Sequence, residues 1–404
     1  MNIAIIGGGA AGFFSALNVK HNFSGYEVTI FEKSNKVLSK LKISGGGRCN
    51  VTNGCSISDL AKAYPRGEKQ LKKAFKIFSN KDTMQWFEKR DVPLVIQADN
   101  CVFPKSQDSG SIIACFTSEM HRLGVKLLLN SKVNSILKKG DKIGLKLNEE
   151  NDIRLFDKVI VTTGGSPKRK GLTWLEEIGH KIEQPVPSLF TFNMPQEDIR
   201  NLMGIVVENA IISFQGSKLK GDGPLLITHW GMSGPAVLKL SSYGARIMNE
   251  KNYEFKINVN WIGIKNQTEV SNELYRIALK NPKKQISNLR PFDLPIRLWL
   301  FLLNKKGIST EKKWGELGKK GTNKLTTFLT NDEYAVKGKT TFREEFVTCG
   351  GVSLESVNFN TMQSKVFPNL YFAGEVLDID GITGGYNFQA AWTTGFIAAK
   401  LLPN

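Results

Sequence analysis

The chain has 404 residues, 41% hydrophobic and 23% charged, enough apolar material for a sizeable core in two or three domains, which excludes a disordered chain. Its 55 Lys and Arg against 37 Asp and Glu give a net charge of +18, which points to an anionic partner (nucleic acid, acidic membrane surface or phosphate-bearing ligand) without choosing among them. The apolar run Leu298 to Leu303 is far short of the roughly 20 residues of a spanning helix, and no leader precedes the run at Ile3, so a cytoplasmic protein off the membrane is expected.

In chain order, Asn2 to Ile6 reads as a strand, Gly7 to Gly12 as a tight turn, Phe13 to Val19 as a helix and Glu27 to Glu32 as a second strand, a βαβ unit. A glycine-rich loop follows around Gly45 to Gly47. Glu68 to Arg90 reads as helical, with Leu71, Phe75 and Phe78 on one face, as does Ser111 to Leu123. Strands are predicted at Val125 to Leu129, Lys132 to Leu137, Ile143 to Leu147 and Lys158 to Thr162. From Thr191 to Trp261 the texture changes to short apolar runs such as Ile205 to Phe214 and Phe255 to Val259, which suit an antiparallel sheet. From Gln267, the spacing of Val270, Leu274 and Ile277 marks a helical face. After Glu333, glycines lead to a strand at Asn369 to Ala373 and a helix from about Gly385 to Leu402. The expected domains are therefore 1–190, an inserted β-rich block 191–265, a helical block 266–332, and a return to the first domain over 333–404.

Gly7, Gly9 and Gly12 stand in GxGxxG register between a strand and a helix. The first permits the turn, the second leaves room for a pyrophosphate at the helix N-terminus, and the third lets helix and sheet pack closely. Glu32, twenty residues after Gly12, can accept hydrogen bonds from ribose hydroxyls. This fingerprint alone does not separate FAD from NAD. A second GxGxxG is absent, as are a Walker loop and HExxH. The five cysteines lack CxxC spacing, so reduced thiols without a metal site are expected, and Cys49 with Cys55 makes a poor redox pair.

Two longer motifs are more specific. Leu38 to Asn53, containing Ser44-Gly45-Gly46-Gly47-Arg48-Cys49-Asn50, and Gly374 to Trp392, containing Gly384-Gly385-Tyr386-Asn387-Phe388-Gln389, closely resemble a bacterial NAD(P)/FAD-dependent oxidoreductase family that includes aminoacetone oxidase and a gut bacterial bile-acid reductase. Thr228 to Pro235 adds a third match. The resemblance implies a discontinuous, doubly wound FAD-binding α/β domain carrying an inserted β-rich domain and a helical domain. It also implies FAD contacts at Gly7, Gly9, Ala10, Ala11, Gly12, Glu32, Lys33, Lys40, Ser44, Gly47, Arg48, Cys49, Asn50, Val133, Thr163, Gly164, Gly374, Glu375, Asp380, Gly385, Tyr386, Asn387 and Gln389. Thr162 stands where relatives often have alanine.

The resemblance places His229 near the flavin as a proton donor or acceptor, with a structural histidine as the plainer reading. Arg48 is a second catalytic candidate, or else an anchor. The expected activity is FAD-dependent hydride transfer to a small or medium organic substrate, with NAD(P)H as a transient donor; an amine oxidase of aminoacetone-oxidase type and a flavin-bearing RNA-binding or RNA-modifying protein are the alternatives. The charge divides accordingly. Lys33 to Arg90 holds 14 Lys and Arg against 4 Asp and Glu, a net +10, and Arg276 to Thr340 holds 15 against 5, another +10. The first cluster overlaps the FAD loop, whereas the second is either a solvated surface or one that meets RNA or an anionic substrate.

Overall fold

The computed structural model describes residues 1–148, 153–340 and 347–403, which fall into two compact units, Met1–Ser188 with Arg343–Asn404, and Leu189–Phe342. In the first unit the strand Asn2–Ile6 is apolar on both faces, and Ile3, Ala4 and Ile5 are fully buried, as a central parallel strand requires. It pairs in parallel with Glu27–Phe31 on one side and Lys158–Val161 on the other. Lys126–Leu128 and Leu370–Phe372 extend the sheet in parallel, and Gln363–Ser364 and Val357–Asn358 close it antiparallel.

The helix Ala10–Asn22 packs on the C-terminal helix Tyr386–Ala398. Gly395 permits the close crossing, since a Cβ there would lie 2.9 Å from Ser15 Oγ. Phe14 joins the two helices to an aromatic cluster, with ring centroids 5.2 Å from Trp392 and 4.7 Å from Trp86. Small antiparallel sheets form from Val133–Lys139, Lys142–Leu147 and Ile153–Phe156, from Thr52–Asn53, Cys101–Pro104 and Leu94–Ile96, and from Ile182–Pro187 with Thr348–Val352.

The helix expected over 68–90 is two helices, Glu68–Ala74 and Asn80–Glu88. Ser79 and Asp82 cause the break by forming a reciprocal capping box, in which each side chain accepts from the other's backbone N–H. Leu71, Phe75 and Phe78 are buried all the same.

The second unit is built on a seven-stranded antiparallel sheet in the order Asp332–Lys337, Glu254–Asn260, Val206–Phe214, Lys220–Ile227, Gly231–Ser233, Thr191–Asn193, Lys339–Thr340. The helices Gln267–Lys280, Ile296–Lys305 and Gly318–Thr330 bury Val270, Leu274, Leu298, Trp299 and Phe328 in one core with Ile212, Ile257 and Tyr334 of the sheet. The strand-rich and helical textures of the sequence thus share a core, and the strand Asp332–Lys337 returns to this sheet by pairing with Glu254–Asn260. Among the described residues, no helix is long and apolar enough to cross a membrane.

Candidate FAD site

The glycine fingerprint lies at the carboxyl end of Asn2–Ile6, and its three glycines meet different surroundings. A Cβ on Gly12 would sit 1.9 Å from the carbonyl oxygen of Gly7, and one on Gly7 2.5 Å from that of Thr162, so both are packing glycines. A Cβ on Gly9 would meet nothing within 4 Å. Gly9 also caps the helix Ala10–Asn22 without a side-chain bond, leaving the first-turn amides, Ala10 and Ala11 included, for an anion. Glu32 accepts from the Gly8 N–H at 2.8 Å and from the Ser34 N–H and hydroxyl at 2.9 Å, which fixes the carboxylate beside the loop. The neighbouring Lys33 is exposed. Ser131 N–H donates to the Glu32 carbonyl at 2.8 Å, which brings the chain entering Val133 alongside.

Thr162 is more than a tolerated departure. Its hydroxyl lies 3.0 Å from the carbonyl oxygens of both Ile6 and Gly7, tying the strand Lys158–Val161 to the fingerprint and leading into Thr163 and Gly164. Gly374 has a φ of +77°, and a Cβ there would lie 2.9 Å from Ala11 Cβ, so the C-terminal motif seats directly on the first helix. Glu375 accepts from Lys40 Nζ at 2.8 Å and from Thr348 N–H at 2.9 Å, joining two expected FAD residues that are 335 positions apart.

The second motif turns on left-handed glycines. Gly45, Gly46 and Gly47 have φ of +58°, +69° and +84°, conformations that cost other residues energy. Ser44 braces this turn by accepting from Cys49 N–H at 3.0 Å and donating its hydroxyl to Leu41 O at 2.9 Å. Arg48 is anchored to the same turn: its Nε donates to Gly45 O at 3.1 Å, and its guanidinium lies 4.1 Å from the centre of the Phe103 ring. Asn50 accepts from Val102 N–H at 3.3 Å and faces Gly385, where a Cβ would fall 2.7 Å from Asn50 Oδ1 and 2.5 Å from Thr52 O. Gly385 in turn caps the helix Tyr386–Ala398 with no side-chain bond, so a second uncapped helix start lies against Asn50 and Thr52 of this same motif.

Three of the expected contact residues have their side chains engaged within the protein. Gln389 is fully buried; its Oε1 accepts from Thr52 at 2.6 Å and Thr83 at 2.9 Å while its Nε2 donates to Thr393, so its side chain serves the core. Asn387 is occupied by both backbone groups of Gly381, at 2.8 and 3.0 Å. Asp380 is fully buried and held by Arg66, with Nε to Oδ1 at 2.5 Å, and by the hydroxyl of Ser188. These three brace the loop before the C-terminal helix. Arg66, Ser188 and Tyr64, whose hydroxyl donates to Tyr386 O at 2.7 Å, went unseen because their partners are remote in sequence.

Cys49 and Cys55 are set in surroundings that disfavour the thiolate. Burial pushes the Cys49 thiol up to about 12, burial also raises Cys55, and both are free. In the second unit, His229 is exposed at the turn between Lys220–Ile227 and Gly231–Ser233, edge-on to Trp230 at 4.4 Å, while Trp230 Nε1 donates to Thr191 at 3.0 Å.

The residues present fit FAD. Gly9, Gly46, Gly47 and Gly164 would each send a Cβ into open space, as a cradle for a close-lying ligand requires, and Thr348 Oγ1 is buried beside Gly165 without a partner. A doubly wound sheet with the fingerprint, a brace of carboxylates and two free helix starts defines an FAD-binding oxidoreductase. The chain belongs to the HI0933-like protein Rossmann domain family, whose model matches residues 1–401. Among curated proteins it is 28% identical over 410 residues to the ribosomal RNA dihydrouridine synthase of Haemophilus influenzae, covering 98% of this chain and 96% of that one. The Escherichia coli protein of the same name is 29% identical, with the same coverage. It is 25% identical to the 3-dehydro-bile acid delta(4,6)-reductase of Clostridium scindens, covering 98% of each. Among solved structures, the 3-ketosteroid-delta4-(5alpha)-dehydrogenase of Rhodococcus jostii shares the fold at a TM-score of 0.51 and 11% identity, covering 98% of this chain and 96% of that one.

Proposed function

We propose that this flavoprotein reduces a carbon–carbon double bond conjugated to a carbonyl, and that its substrate is a uracil ring in ribosomal RNA. The observation that carries this reading is that relatives spanning the whole chain bear names describing one bond change on two scaffolds. Dihydrouridine arises by saturating the uracil double bond next to a ring carbonyl, and a delta(4,6)-reductase acting on a 3-keto steroid saturates a double bond conjugated to its ketone. Both changes add a hydride to the β-carbon and a proton to the α-carbon. FAD is the group that supplies the hydride, with NAD(P)H as its transient donor.

The chain's own residues hold, orient and protonate. Glu32, the Ala10–Asn22 helix start and the Gly45–Gly47 turn would hold the nucleotide portion, and the free amides following Gly385 would stabilise negative charge on the bound flavin. His229, whose imidazole is exposed in the second unit, is the proposed proton donor, and Arg48 would serve as an anchor. The +10 cluster within 276–340 supports RNA over a steroid, since phosphate contacts supply most of the affinity for nucleic acid.

The test is anaerobic. FAD-loaded protein is mixed in turn with NADH, NADPH and aminoacetone, and the species that bleaches the flavin is identified. The reduced protein then receives rRNA from a strain lacking this gene, or a 3-keto-4-ene steroid. Reoxidation by the rRNA, with a nucleoside two hydrogens heavier than uridine in its digest, is the expected result. Bleaching by aminoacetone alone, or reoxidation by the steroid alone, would overturn the reading.

A further inference from the structure

We infer that the outward face of the helix Gln267–Lys280, with the lysine-bearing turns beside it, is where the second unit grips unpaired RNA. This inference rests on the RNA reading above. The helix buries Val270 and Leu274 and turns Tyr275 and Leu279 outward, one turn apart and 60% and 63% exposed. Arg276 and Lys280 flank them, and Lys283 and Lys284 follow. A second segment joins this end: Lys312 O accepts from Ile286 N–H at 2.8 Å, and Trp314 N–H donates to Lys284 O at 2.9 Å, so Lys312 and Lys313 lie against the same turn.

These lysines differ from two others of the cluster. Lys305 and Lys306 are held by the buried carboxylate of Asp332 at 3.0 and 3.2 Å. Lys280, Lys283, Lys284, Lys312 and Lys313 form no ion pair among the described residues. Five ammonium groups without an ion pair, at the end of the helix and in the turns beside it, and one exposed ring on the same helix combine what binds unpaired nucleic acid, cations for phosphates and an aromatic face for a base. Pressing a second copy onto this face would set like charge against like, and an acidic protein would leave the ring without a matching flat partner.

The experiment measures binding of the full-length, FAD-loaded protein to rRNA purified from a strain lacking this gene, across a salt series, with heparin as a polyanion control. Replacing Lys283, Lys284, Lys312 and Lys313 by Gln together should lower the slope of log affinity against log salt by about three. Tyr275→Ala should weaken binding about tenfold while leaving the slope unchanged. Both variants should keep the wild-type ratio of FAD to protein, which reports an intact fold. If wild type binds rRNA and both variants bind as it does, the surface is wrong and the RNA reading stands. If wild type binds rRNA no better than heparin, the RNA reading itself falls. A dimer in sedimentation that Tyr275→Ala dissolves, or capture by phosphatidylglycerol vesicles without rRNA binding, also overturns the assignment.

Discussion

Arg66 forks onto both carboxylate oxygens of Asp380, a residue with no solvent exposure, and thereby ties the turn before Glu68–Ala74 to the loop that leads into the C-terminal helix. An ion pair in this setting is costly to break from one side, because the remaining charge is left buried. Arg66→Ala is expected to lose about 3–5 kcal/mol of stability. It should also weaken FAD binding, since the loop it braces carries Gly384 and Gly385. Urea unfolding and FAD titration check both; replacing Arg66 by Met and Asp380 by Leu together should recover much of the stability.

Two glycines of one fingerprint should fail in different ways. Gly9 has extended backbone angles that any residue adopts, and a side chain there meets no protein atom. Gly9→Val should therefore leave the apoprotein's thermal midpoint unchanged and reduce FAD affinity about a hundredfold, or about 3 kcal/mol. Gly12→Ala, with its methyl 1.9 Å from Gly7 O, should lower the midpoint itself. Equal loss of stability in both would refute the division of labour.

The fingerprint was legible because its parts are local: a strand, a glycine turn and a helix start within a dozen residues, with Glu32 at the end of the next strand. The side-chain partners of Asp380 and Gln389 were not legible, for the opposite reason. Each sits in a motif of expected FAD contacts, but its side chain bonds Arg66 or Thr52, 314 and 337 residues away. Residue type and spacing cannot report burial. The second unit shows the same limit, since apolar periodicity separates strands from helices but does not reveal that Phe328 and Ile257 fill one core. The Ser79–Asp82 box, by contrast, was readable in sequence and marks the break the periodicity obscured.

His180 gives a pH prediction with a definite sign. It is buried, its Nε2 lies 2.8 Å from Ser364 Oγ, and its ring meets Phe372 edge-on. Burial lowers its folded value below the ordinary 6.5, while the Leu175 carbonyl acts weakly against this. The unfolded chain therefore takes up the proton first, so the contribution is intact above 6.5 and is lost as pH falls from there towards the lowered folded value. His180→Gln should flatten the fall in stability over that interval, measured by denaturant unfolding at stepped pH.

On the proposed proton delivery by His229, His229→Asn should slow substrate reduction about a hundredfold. FAD content and the rate of flavin bleaching by the nicotinamide donor should not change. A bleaching rate that falls in parallel with turnover would place the imidazole in cofactor binding instead.

The contact of Phe14 with Trp392 has a consequence for how the protein is made. The second unit is one continuous stretch, whereas the sheet that carries the fingerprint is completed by Leu370–Phe372 and covered by Tyr386–Ala398. At typical synthesis rates, the segment ending at Ser188 must wait roughly 10–40 s for that last helix, with Phe14, Phe87 and Phe116 lacking their final partner. The middle of the chain can thus reach its native state on the ribosome before the unit to which the first-translated residues belong.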